Sequence, residues 1–185
     1  MASGRFDPLS SVAFDLRRGA IELQGVAGQV LIPADALLSL SQSADPEVAK
    51  DFARRLGTEI GRRLGERLGD ASSASLELVL EQLAGELSLL GFGLLGFERW
   101  GQALVLTLRG SPFGAGGDGM LGFLLEGVLQ RAFGRDAGVV RLMRDDAVAR
   151  FLVTGRGTVE LVQVWMSSGS SWSEALARLQ RGGAS

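Results

Sequence analysis

The residues whose types and spacing could do chemistry are a run of glycines and a few isolated acids. Gly114-Ala115-Gly116-Gly117-Asp118-Gly119 fits G-x-G-x-x-G, the spacing with which backbone N–H groups at a helix N-terminus cradle a pyrophosphate. A strand predicted over residues 103–108 precedes it, and a helix predicted from Met120 follows. Asp145-Asp146 ends the next strand, roughly where a ribose-binding acid would stand. Three features oppose a dinucleotide site. Five residues separate the strand from the first glycine, where the fingerprint needs a tight turn. The flanking strands read as antiparallel hairpins rather than a βαβ series, and no second helix follows the acidic strand end. The run also lacks the lysine of a P-loop. The simpler reading is a loop that lets the following helix dock.

Other reactive chemistry is thinly represented. The chain has no His, no Cys and no Tyr. That removes the commonest general base, the thiolate nucleophile and the usual zinc ligands, so no metal site is expected. Lys50 is the only lysine, on a helix that reads as solvent-facing, and every other basic residue is Arg. Ser167-Ser168-Gly169-Ser170-Ser171 offers hydroxyls with no base to activate them. Asp145-Asp146 is better explained as a turn than as a cation site. Glu126 is the one carboxylate in an apolar helix; two readings are open, pairing with a buried arginine such as Arg109, Arg141 or Arg150, or facing water at its own helical position. Trp100, Trp165 and Trp172 suit pocket linings or core anchors.

Stepping outward, 185 residues with 46% apolar content support a single domain, residues 1–185, with a sizeable core. A net charge of -2 gives no electrostatic case for nucleic acid. No apolar run is long enough for a membrane span, and the stretch from Met1 to Asp7 has no apolar leader, so a cytoplasmic location is expected. Residues 1–32 alternate in hydrophobicity between Gly-rich turns and read as a β-rich extension. Helices are predicted at residues 33–43, 46–68, 76–90 and 120–133, with a polar break at residues 72–75. Asp45-Pro46 starts the second helix as N-cap and first residue. Strands are predicted at residues 94–100 and 103–108, then a three-stranded meander at residues 139–143, 148–153 and 159–166. Ser171 or Ser173 caps a last helix over residues 171–181, and the chain frays from Gly182. This order is α+β, an antiparallel sheet with a block of helices packed against it.

The most unusual feature is a stripe in the second helix. Ala49, Ala53, Gly57, Gly61, Gly65 and Gly69 recur every four residues beside Phe52, Leu56, Ile60, Leu64 and Leu68. Each interior glycine costs a helix about 1 kcal/mol relative to alanine, so close approach of another backbone must offset it. Two sites for that approach are open. One is a partner helix, with Ala49, Ala53, Gly57, Gly61, Gly65, Leu56, Ile60 and Leu64 as interface residues. The other is packing within the same chain.

Residues 46–166 resemble a known family. The cadence Gly122-Phe123-Leu124-Leu125-Glu126-Gly127-Val128-Leu129, then Phe133-Gly134, Val139 to Met143 and Phe151-Leu152-Val153, with the Gly57/Gly61 helix and the hairpin over residues 94–108, is similar to the 4-vinyl-reductase-like domain. That domain shares a fold group with the transport protein particle (TRAPP) subunits. The resemblance implies helices against an antiparallel sheet, dimerisation through helices, and either sensing of a small apolar molecule or scaffolding of a complex. Relatives often carry cysteines in the strands after the fourth helix, for metal or acyl attachment. Here those strands contain none, which removes the ligands for both uses.

The leading expectation is a non-enzymatic interaction, scaffold or regulatory module without cofactor, homodimeric through helices or bound to another protein. The alternative is a sensor of a small apolar ligand, in a pocket lined by Phe92, Phe97, Trp100, Phe123 and Phe151. A nucleotide-binding enzyme using residues 114–119 ranks third.

Overall fold

The computed structural model describes residues 11–69, 74–133 and 136–182. Residues 1–7, Ser72 and Ser73 of the polar break, Gly134 of the family cadence and the tail after Gly182 lie outside these.

The N-terminal extension forms an antiparallel meander of β1 (Val12–Asp15), β2 (Ala20–Leu23) and β3 (Val26–Gln29). Its first turn is set by Asp15, whose carboxylate accepts from the Arg17 and Arg18 N–H groups, and by Gly19 at φ 60°.

Three helices follow: α1 (Ala34–Ser43), α2 (Pro46–Leu68) and α3 (Leu76–Leu89). The Asp45 carboxylate accepts from the Glu47 N–H at 2.9 Å and the Val48 N–H at 3.4 Å, so α2 starts where the sequence placed it. It stops at Gly69, at φ 72°. Ser75 caps α3 through the Leu78 N–H.

The main sheet has β4 (Leu94–Trp100), β5 (Ala103–Arg109), β6 (Ala137–Asp145) and β7 (Val148–Gly155), in the order β4-β5-β7-β6, antiparallel throughout. Between β5 and β6 the chain makes a single 3-10 turn, Ala115–Gly117, and α4 (Asp118–Phe133). The last elements are α5 (Arg156–Ser167) and α6 (Trp172–Gly182). The class is α+β as expected.

One predicted strand is wrong. Residues 159–166 belong to α5, and the Gly155-Arg156-Gly157 turn is that helix's start. Alternating β-branched residues suggested a strand. The side chains that turn inward are instead Val159, Val162, Trp165 and Met166, at helical spacing.

Register explains the layers. Leu106 pairs with Phe151, and Leu108 with Ala149, so these residues share the front face. They meet Leu121, Leu124, Leu125 and Val128 of α4, all buried. Val105 pairs with Leu152 and faces the back, where Val140, Leu142, Val162, Ala175 and Leu176 complete a second core. The helices therefore do not form one block: α2, α3 and α4 cover the front, while α5 and α6 cover the back.

On the front, α4 lies between the sheet and α2. A Cβ at Gly61 would stand 2.8 Å from the Val128 carbonyl oxygen, one at Gly57 would overlap the Leu124 carbonyl, and one at Gly127 the Arg54 carbonyl. The two helices thus meet main chain to main chain, which is what offsets the glycines' cost in helix propensity.

Three buried carboxylates pin this layer. Glu86 of α3 accepts from Gln24 of the N-terminal meander at 2.5 Å, from Arg63 at 3.4 Å and from Arg67. Glu126 of α4 takes Arg54 of α2 at 2.8 Å and Gln130 at 3.0 Å. Asp118 takes Arg144 and Arg141 of β6. The partner of Glu126 is therefore Arg54, not Arg109, Arg141 or Arg150. Arg141 serves Asp118, and Arg150 bonds Glu98 and Asp145. Hydrogen bonding to Asp118 raises the Arg144 guanidinium above its usual pKa.

Candidate functional site

A groove of about 550 Å³ opens on the back of the sheet, where the β4–β5 turn, the end of β7, α5 and α6 converge. Gly101 at φ 64° makes the turn and brings Gln102 and Ala103 to one end. β7 supplies Leu152 and Thr154, α5 supplies Thr158, Leu161 and Trp165, and α6 supplies Arg178, Leu179 and Gln180.

The helical phase of α5 sets Thr158, Leu161 and Trp165 along one edge, three and four residues apart. Leu161 is 52% exposed, an apolar wall facing open space. α6 is seated by three contacts: Ala175 and Leu176 in the back core, the Trp172 ring against Trp100 at 4.7 Å and tilted by 41°, and Gln180 donating to the Trp100 carbonyl at 2.9 Å. The Arg178 guanidinium lies over the Trp165 ring, 5.7 Å from its centre. The Ser171 hydroxyl accepts from the Glu174 N–H, and the Glu174 carboxylate accepts from the Ser171 N–H and hydroxyl, a capping box that settles Ser171 as the cap. Those bonds, the backbone N–H foremost, hold the Glu174 carboxyl below its usual pKa, with the Arg178 charge adding to the effect.

The surface is apolar at its walls and carries one cation, two amides and two threonine hydroxyls. It can receive a compact molecule with an apolar body and a few polar atoms. Among the described residues, no group of three or more acids suits a metal ion.

The five residues expected to line one pocket are scattered. Phe151 is fully buried in the front core, and Phe92 is buried and stacked on Phe113 at 5.5 Å. Phe123 lies beneath Lys50 and Arg54, between α2 and α4. Trp100 belongs to the back core. Phe97, 40% exposed, lines a smaller groove of about 240 Å³ with Glu77, Glu81 and Leu80. Of the trio Trp100, Trp165 and Trp172, Trp100 and Trp172 pack against each other with tilted rings beside the back core, while Trp165 lines the groove.

The stripe residues Ala53, Gly57, Ile60, Gly61 and Leu64 are buried within the one chain. Ala49, Leu56 and Gly65 are half-buried, and a Cβ at Gly65 would meet open space.

The glycine run is shaped by packing. A Cβ at Gly117 would collide with Phe113, and one at Gly116 would stand 2.9 Å from the Gln42 amide. Its acid, Asp118, is fully buried against Arg144 and Arg141. Asp145, the other acid considered, pairs with Arg150 at 2.6 Å.

Sequence reasoning missed Arg178, Leu161 and the two glutamines. Reading Val159, Val162, Trp165 and Met166 at helical spacing would have revealed α5 and, with it, the wall that Leu161 forms.

No family model and no curated protein matches the chain. Among solved structures, it is similar to the phenol-responsive sensory domain of the transcription activator PoxR, solved with phenol. The match covers 78% of this chain and 85% of that one, at 17% identity and a TM-score of 0.58. At that identity the likeness is one of fold.

Proposed function

We propose that this domain is a sensory module that binds a small, largely apolar molecule in the groove behind the sheet, and that it acts by binding rather than catalysis. The observation that carries the reading is the groove itself: apolar walls from Leu161 and Leu179, an aromatic side at Trp165, and polar groups confined to a few positions. The fold likeness to a phenol-responsive sensory domain supports the same choice over a scaffold. The layering of helices on an antiparallel sheet also supports kinship with the 4-vinyl-reductase-like and TRAPP fold group. The test is a thermal-shift screen with small aromatic compounds, repeated on Leu161→Gln. A ligand at 100 times its Kd adds about 2.7 kcal/mol to stability. A compound should raise the wild-type Tm and do so much less in the variant; equal shifts in both proteins would place the ligand elsewhere.

A second reading, a protein-contact module, is favoured by one specific observation. Val30, Leu31 and Ile32 are 73%, 76% and 56% exposed, and Leu40, Val48 and Phe52 of α1 and α2 are exposed as well. A homodimer would have to use such a surface, since the buried glycines of α2 already meet α4. Light scattering on the wild type and on Leu31→Glu tests it; a monomer mass at all concentrations would exclude the homodimer.

A further inference from the structure

We infer that the ligand of this groove is an amphiphile with one anionic head, a carboxylate or sulfonate, held by Arg178, with its apolar body against Ala103, Leu161 and Leu179. The inference rests on the groove reading above and narrows it to a chemical class.

The placement of Arg178 carries the argument. Many arginines are matched to acids, among them Arg54 to Glu126, Arg62 to Glu59 and Glu66, Arg144 to Asp118, and Arg150 to Asp145. Arg55, Arg109, Arg131 and Arg181 have no salt bridge with a described residue, but they do not line the groove. Arg178 makes no salt bridge with a described residue. The acid one turn before it, Glu174, has its carboxylate engaged by the Ser171 N–H at 2.8 Å and the Ser171 hydroxyl at 2.9 Å. No carboxylate lines the groove among the described residues, so an entering anion meets no like charge.

Geometry adds direction. A guanidinium presents a planar fork of N–H donors that matches a two-oxygen anion. The Arg178 guanidinium stands over the Trp165 ring, 5.7 Å from its centre, on the groove lining. Thr154, Thr158 and Gln102 stand on the same lining as further donors. A cationic ligand would be repelled by Arg178, and a wholly apolar one would leave its N–H donors unused.

The experiment uses a matched pair of fluorescent probes, anilinonaphthalenesulfonate and its uncharged counterpart phenylnaphthylamine. Both are titrated into the wild-type chain, Arg178→Gln and Leu161→Gln, with melting curves confirming that each variant is folded. The sulfonate should bind the wild type more tightly than the neutral probe. Arg178→Gln should weaken the sulfonate about tenfold, the scale of a lost charge-assisted hydrogen bond, and leave the neutral probe within about twofold. Leu161→Gln should weaken both. Sulfonate binding that responds to Leu161→Gln but not to Arg178→Gln overturns the anionic class and leaves the groove reading standing. Binding that responds to neither variant, or no binding, overturns both.

Discussion

Gly57 of α2 lies directly against the Leu124 carbonyl of α4, with no room between them for a methyl group. Gly57→Ala should therefore force the helices apart and cost about 3 kcal/mol. Gly65, on the same edge one turn beyond Gly61, faces open space, so Gly65→Ala should stabilise by about 1 kcal/mol through helix propensity. Urea denaturation of the two variants checks the pair. Similar midpoints for both would contradict the packing described.

Glu86 links three elements: Gln24 of the N-terminal meander, Arg63 of α2, and its own helix α3. Arg63 is 7% exposed, so Glu86→Ala removes its buried counter-charge and leaves it only the longer pairing with half-exposed Glu59 at 3.6 Å. The expected loss is about 3–5 kcal/mol. Gln24→Ala removes one neutral donor and should cost about 1 kcal/mol. It should also speed proteolysis in the N-terminal meander with little change in the core. Equal cleavage rates in variant and wild type would mean that Gln24 does not tether the extension.

The lowered pKa of Glu174 fixes the sign of a pH effect. Its folded value lies below its unfolded one, so the contribution of the α6 cap is present above the ordinary glutamate value of about 4.3 and is lost as pH falls through the lowered value. Tryptophan fluorescence should report this, because Trp172 at the start of α6 packs against Trp100. Acidification below that range should loosen this contact in the wild type. Glu174→Gln should lack that phase, and an identical acid transition in both would refute the assignment.

Nucleotides should leave the Tm unchanged. The glycine run at residues 114–119 is packed against Phe113 and Gln42, and its acid is held by two arginines. A shift of several degrees with NAD or ATP at millimolar concentration would reopen the phosphate-binding reading.

What could be read from the sequence follows the range of the forces involved. Asp45 and Pro46 announced α2 because capping acts over two or three residues. The need for close backbone contact along Gly57 and Gly61 was legible from helix propensity, but its partner was not, since Leu124 and Val128 lie far along the chain. Arg54 was missed as the partner of Glu126 for the same reason: they are 72 residues apart. The α5 helix was lost to β-branched residues whose alternation mimics a strand. The groove was invisible as a unit because α5, α6 and two strand ends each contribute only a few side chains to it.

The interlocked main chains of α2 and α4 have a mechanical consequence. Two helices notched at Gly57, Gly61 and Gly127 can neither slide nor roll past one another without atoms colliding. On the back, α6 has no such lock, because it rests on side-chain contacts: a tilted ring pair, one hydrogen bond from Gln180 and the apolar side chains of Ala175 and Leu176. Widening of the groove beyond the volume already open would therefore fall to α6, while the front helices keep their spacing.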